Sequence, residues 1–407
     1  YEYSPLVSNY LGLVQDQIHY AAICRKVMDA NWQTSDVHIF EHRDDIGPTG
    51  KLPYLVGGLA SRGMGSINAF FIHKNFIFPF VSILIGYFFL RNFLESRVIA
   101  CWGILLLLCK YSGTQLLNIG LLRFDSIFPN GFFHPLTVFA EKFPSYQLVF
   151  PFTFLFYWFC YLLLKKNNNV YCLFTGLLAG ASFYLYFFSY ISIMMQIFVL
   201  MTWVFIQGRR DLALRLLISG IIALLVGSFY IKDMIAFMGS PDNVFKSLAI
   251  GLSKGREYNI LKDGYEFFIC ASLILLLCWK FRYVRDKVMF ILSIGMPVYF
   301  VMVLSTQKLL IPESQHFHTF EIRNTLLFSL LLLLSVFLDK DKIKIFFTNK
   351  ITSLLKVNDK TLSYIRIFLI LGIVFHSTMI LATEFYYMNK KSSLYYHRYI
   401  LDKDIIA

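Results

Sequence analysis

Ten runs of mostly apolar residues, each 15 to 20 long, recur along this 407-residue chain: 75–94, 98–112, 148–164, 170–187, 189–207, 216–231, 265–279, 288–304, 323–338 and 367–382. No other feature constrains the fold so tightly. A helix satisfies its own backbone groups and crosses a hydrocarbon layer with about 20 such residues. The runs therefore predict an all-α, polytopic membrane protein with about ten transmembrane helices. The run 189–207 follows 170–187 so closely that the two are expected to form a tight helical hairpin. Hydrophobic residues make up 57% of the chain and charged ones 15%, where a soluble domain has about 25%. With a mean hydropathy of +0.59, this excludes a disordered chain and a soluble multi-domain enzyme.

Lysine and arginine accumulate in cytoplasmic loops, so the connections carry the orientation. The short loops 91–97, 165–169, 208–215, 280–287 and 339–366 hold 18 lysines and arginines in 56 residues. The alternate set, 1–74, 113–147, 232–264, 305–322 and 383–407, also holds 18, but in 185 residues. The short loops are expected in the cytoplasm and the long ones outside. With their six acids the short loops account for +12 of the net +13, so the basic balance signals orientation and not nucleic acid. Three regions follow: an outer loop 1–74, a transmembrane domain 75–382 and an interfacial tail 383–407. Both ends fall outside, and a further span ahead of Tyr1 is expected; a cleaved signal peptide would leave the same topology. The basic, amphipathic segment 340–360 is expected on the cytoplasmic membrane surface. Short cytoplasmic loops without a eukaryotic sorting signal favour a bacterial inner membrane.

The apolar runs hold almost no ionisable groups in their interiors, His376 being the main exception. An ion-coupled pump needs acids or bases at membrane depth, so polar chemistry belongs in the outer loops. In the first of these, Asp16 is placed to cap a helix, since its carboxylate can accept from the free amides of the first turn. Tyr20, Ile23, Cys24, Val27 and Met28 then recur at helical spacing, opposite Gln17, Arg25 and Asp29. Such a helix is too polar to span and should lie along the outer surface. A polar stretch containing His38 and His42 leads to Gly-Pro-Thr-Gly-Lys-Leu-Pro at 47–53, then to a second, weakly amphipathic helix from about Tyr54.

This order resembles the first outer loop of GT-C class membrane glycosyltransferases, especially the protein mannosyltransferase and aminoarabinose transferase relatives. It comprises an outer Asp, a Tyr four residues on, an Arg-containing amphipathic helix ending in Asn-Trp, and Gly-Lys-x-Pro before another helix. The resemblance covers about 60 residues by motif and the rest by topology. It implies a GT-C-like fold, with Asp16 at the catalytic centre and Lys51 on the phosphate of a polyprenyl-phosphate sugar donor. This chain has Lys-Leu-Pro-Tyr where the family has Lys-Pro-Pro-Leu, and it lacks the Trp-Trp-Asp of the oligosaccharyltransferase branch. By position, Asp125 matches the second acid that the class often carries in the corresponding later loop. Bland readings stand beside these: Asp16 as a helix cap, Lys51 as a snorkelling surface lysine and Asp125 as a solvated acid.

Arg123, Asp125 and Lys142 in loop 113–147, and His316 and His318 in loop 305–322, are the further pocket candidates. Glu313 and Glu321 flank the histidine pair, but zinc needs three or four converging ligands, so no metal site is assigned. No particular cofactor is assigned, and a divalent cation is compatible with the site. The odd number of cysteines, seven, almost all in apolar runs, reads as packing residues and not as a disulfide framework.

The expected function is transfer of a sugar from a polyprenyl-phosphate donor to a lipid, glycan or protein acceptor, as a step of cell-envelope glycan biosynthesis. Partners would be that donor, an unidentified acceptor and membrane lipids, with no nucleic acid. Two other classes fit the topology: a lipid or glycan transporter or flippase, and an inactive partner subunit of a glycan-assembly complex.

Overall fold

The structure is a computed structural model describing residues 23–30, 51–63, 77–108, 145–185, 187–238, 265–306 and 323–338, with 367, 370 and 371. Among the described residues there is no strand. Beyond a helical stretch at 23–28, the principal helices are α1 (Leu52–Gly63), α2 (Phe78–Leu94), α3 (Arg97–Leu108), α4 (Ser145–Lys166), α5 (Asn169–Ala181), α6 (Phe187–Ile206), α7 (Arg210–Met238), α8 (Tyr265–Trp279), α9 (Arg285–Thr306) and α10 (Arg323–Leu338). Helices α2 to α10 occupy nine of the ten apolar runs; of the tenth, only three residues are described. Among the described residues, three helices hold segments long and apolar enough to cross a membrane: Val149–Lys166, Ser189–Ile206 and Arg210–Ala236. Large apolar side chains also face outward. On α7, Leu214, Leu217, Ile221, Leu225 and Phe229 are exposed at helical spacing. An apolar stripe of that extent is what a lipid-facing helix presents, and water would penalise it. The chain is a helical membrane protein.

The core forms where α2, α4, α9 and α10 converge. Phe89 of α2 lies 5.7 to 6.2 Å, centroid to centroid, from Phe154 and Tyr157 of α4, Phe290 of α9 and Phe328 of α10. Phe93, one turn on, meets Tyr161 at 5.0 Å and Phe290 at 5.5 Å. Most of these rings are tilted or edge-on, the arrangement that their quadrupoles favour. Helices α3 and α8 pack against α10, and α6 packs against α9.

Short connections are made by residues in the left-handed conformation: Glu95 (φ 60°) after α2, Asn167 (φ 48°) after α4 and Gly208 (φ 77°) after α6. Asn168 then caps α5, its side chain accepting from the Val170 amide at 2.8 Å. Ion pairs tie these turns together. Glu95 receives Lys165 at 3.0 Å and the buried Lys287 at 3.5 Å. Arg209 reaches Asp286 at 2.9 Å and donates to the Leu164 carbonyl. Four of the five short loops thus share one end of the bundle, called here the short-loop end.

The connection from α5 to α6 is short and includes a 3-10 turn at Ser182–Tyr184, but the expected tight pairing of these two helices is not what packs α5. The main partner of α5 is α7 and not α6. The reason is Gly176-Leu-Leu-Ala-Gly180, a pair of glycines four apart that the sequence reading passed over. A Cβ on Gly176 would lie 2.8 Å from Ile222 Cβ, and one on Gly180 only 2.5 Å from Val226 Cβ. At this approach Ser219 Oγ donates to the Cys172 carbonyl at 2.9 Å and Tyr184 Oη to the Val226 carbonyl at 2.8 Å. Overpacking such a contact costs roughly 1–3 kcal/mol, so Gly180→Val is expected to lower the thermal unfolding midpoint of the purified protein in detergent. Leu225→Ala, on the exposed face, should leave that midpoint near the parent value.

Candidate functional site

Lys51 is the one candidate site residue that falls among the described residues. Asp16, Arg123, Asp125, Lys142, His316 and His318 lie outside them, as do His38, His42 and His376. Lys51 stands immediately before α1, and its carbonyl accepts from the Leu55 amide at 3.0 Å, closing the first turn. Its Nζ donates to Asp233 Oδ2 at 2.8 Å, with both side chains about one-third exposed. Asp233 belongs to the far end of α7, opposite the short-loop end. The ion pair therefore fastens the start of α1 to the long-loop end of the bundle.

Apolar contacts hold α1 down there. Leu52 and Val56 pack with Phe78 and Phe152 around the buried Val149 and Leu185. The other side of α1 carries Pro53, Tyr54, Gly57, Gly58 and Ser61, all buried. Against it lies the 23–28 stretch, whose Ile23, Cys24 and Val27 are buried while Arg25 and Asp29 are exposed and paired at 3.1 Å. The amphipathic face read from the sequence is present over these residues. Gly58 permits the contact, since a Cβ there would meet Val27 Cβ at 2.6 Å and the Cys24 carbonyl at 2.8 Å. The Cys24 thiol donates to the Tyr54 carbonyl at 3.7 Å. Two amphipathic segments thus stack on one another, the inner of them seated on the bundle end.

Beside Asp233 on α7 is a cluster of rings. Tyr230 is buried and meets Tyr190 at 5.7 Å and Tyr184 at 6.0 Å, while Phe183 stacks on Tyr190 at 4.4 Å. Tyr184 is held between helices by its bond to the Val226 carbonyl. Asp233 was missed because the apolar run was ended at Ile231, ahead of Lys232. Met234, Ile235 and Phe237 continue the apolar character beyond it and were the available signal.

Chemically, the arrangement offers a partly solvated ammonium with one carboxylate at hydrogen-bonding distance. Such a cation can bind a phosphate, with Asp233 either keeping it oriented or yielding it. Among the described residues, no three His, Cys, Asp or Glu side chains gather where they could hold a metal. The described cysteines are all free thiols, four of them buried and Cys101 exposed. The chain matches no protein-family model, and no curated protein matches its sequence.

Two outcomes follow. An ion pair this exposed contributes about 0–1 kcal/mol, so Lys51→Gln should leave thermal unfolding nearly unchanged in detergent. Burial pushes the Cys24 thiol well above the ordinary thiol range. Raising pH through about 8.5 then ionises this thiol only in the unfolded chain, so its contribution to stability is full below that pH and falls above it. Mass-spectrometric footprinting with a water-soluble maleimide should leave Cys24 unlabelled until the protein is denatured.

Proposed function

We propose that this protein is a glycosyltransferase of the GT-C type, moving a sugar from a polyprenyl-phosphate donor to an acceptor at the outer face of the membrane. The observation that carries the reading is Lys51, a one-third-exposed cation at the head of an amphipathic helix laid over the bundle end remote from the basic loops. That is where a lipid-borne phosphate would arrive. The gathering of four basic loops at the opposite end supports an orientation with those loops in the cytoplasm. In this reading the chain has ten spans, and it resides in a bacterial inner membrane with its active face toward the periplasm.

A sugar on a polyprenyl phosphate already carries a good leaving group, so no general acid is needed. Asp16 would accept the proton of the acceptor hydroxyl as its oxygen bonds to the anomeric carbon. The bond from that carbon to the phosphate oxygen breaks with inversion, and the electron pair leaves on the phosphate. Lys51 would stabilise the negative charge gathering there. Arg123, Asp125, Lys142, His316 and His318 would line the saccharide and acceptor side of the pocket.

The test is transfer by the full-length protein in proteoliposomes supplied with a panel of radiolabelled polyprenyl-phosphate sugars. Asp16→Asn is expected to slow transfer by roughly 10² or more, the scale of a lost general base. Lys51→Gln, folded as above, should lower kcat/KM for the donor by roughly 10². Undiminished transfer by Asp16→Asn would falsify the assignment. Movement of intact donor across the bilayer without transfer would put the protein among the flippases.

A further inference from the structure

The short-loop end holds a cavity that the proposed chemistry does not use. Its volume is about 440 Å³, and it is lined by Asn167, Gly208, Arg209, Arg210, Asp211 and Leu212. The two residues in the left-handed conformation, Asn167 and Gly208, turn the chain around its rim. Arg209 is committed to Asp286 and to the Leu164 carbonyl. Arg215 is likewise committed, donating to the Asn167 carbonyl. The exposed Arg210 guanidinium has no side-chain partner among the described residues.

We infer that this cavity binds the phosphate headgroup of an anionic phospholipid, whose acyl chains lie along α5 and α7. Charge and shape both support the choice of occupant. The four short loops 91–97, 165–169, 208–215 and 280–287 contain 11 lysines and arginines and three acids, a net +8. Near an anionic leaflet each such charge favours acidic headgroups. Asp211 is the one acid in the lining and sits in the first turn of α7, where the helix dipole favours negative charge. Arg210 is then the cation left for a phosphate. Exposed apolar side chains begin within about one helical turn of the cavity on both helices. They are Val170 and Leu173 on α5, and Leu214 and Leu217 on α7. A headgroup site continuous with apolar tracks suits a lipid and not a soluble anion. The inference needs only that this end meets a membrane surface, and it stands apart from any role of Lys51.

Native mass spectrometry of the full-length protein, extracted from phosphatidylcholine vesicles with and without phosphatidylglycerol, would test it. Phosphatidylglycerol should be retained in preference to phosphatidylcholine and should raise the thermal unfolding midpoint. Arg210→Gln is expected to weaken that retention about fivefold, the scale of one basic residue at a membrane surface. Arg210→Lys, which keeps the charge, should retain most of it. Arg282→Gln, an exposed arginine at the same end, should change little. Equal retention of the two lipids would overturn the proposal without need of any variant. So would equal losses in Arg210→Gln and Arg282→Gln, or an equal thermal shift from soluble glycerol phosphate.

Discussion

Lipid chains are as apolar as leucine, so no hydrophobic force draws helices together once they are in a membrane. What remains is close contact, and around Phe89 four helices make it at one point. That side chain is fully buried and touches rings from three other helices. Each aromatic pair contributes about 0.5–1.5 kcal/mol beyond the area it buries. Helices α3 and α8 pack against α10, and α6 against α9, so each adjoins a helix that contributes to this ring cluster. The α5–α7 pair is joined to it through α4 and α6.

The two ends of the bundle are built differently. At the short-loop end, salt bridges and carbonyl contacts cross from turn to turn, and the buried Lys287 leans on Glu95. At the other end α1 is held by the Lys51–Asp233 ion pair and by apolar contacts of Leu52 and Val56. A substitution at Lys51 can therefore be read for function with little structural confusion, whereas Glu95 serves two lysines at once and would confound the two.

Most helices were legible because a membrane allows so few alternatives: an apolar run of sufficient length must close its own hydrogen bonds. The partnering of those helices was not. Leu177 and Leu178 dominate a hydropathy reading of α5, yet the small Gly176 and Gly180 choose its neighbour. Asp233 escaped for a related reason. The apolar run ends at Ile231, while the helix carries Lys232 and Asp233 and continues to Met238. The amphipathic face at 23–28 was legible because Ile23, Cys24 and Val27 repeat at helical spacing with exposed charges between them. Lys51 was legible only through its Gly-Lys-x-Pro setting, since spacing does not foretell a partner 182 residues away.

Helix α7 runs for 29 residues, from Arg210 to Met238. At about 1.5 Å per residue, Asp233 stands some 35 Å along the axis from Arg210, slightly more than the roughly 30 Å of a hydrocarbon core. One rigid rod is therefore long enough to carry an arginine at one face of a hydrocarbon layer and a carboxylate at the other. Such a rod answers bilayer thickness by tilting. The start of α1, held at Asp233, stands about one hydrocarbon thickness from the turns at the short-loop end.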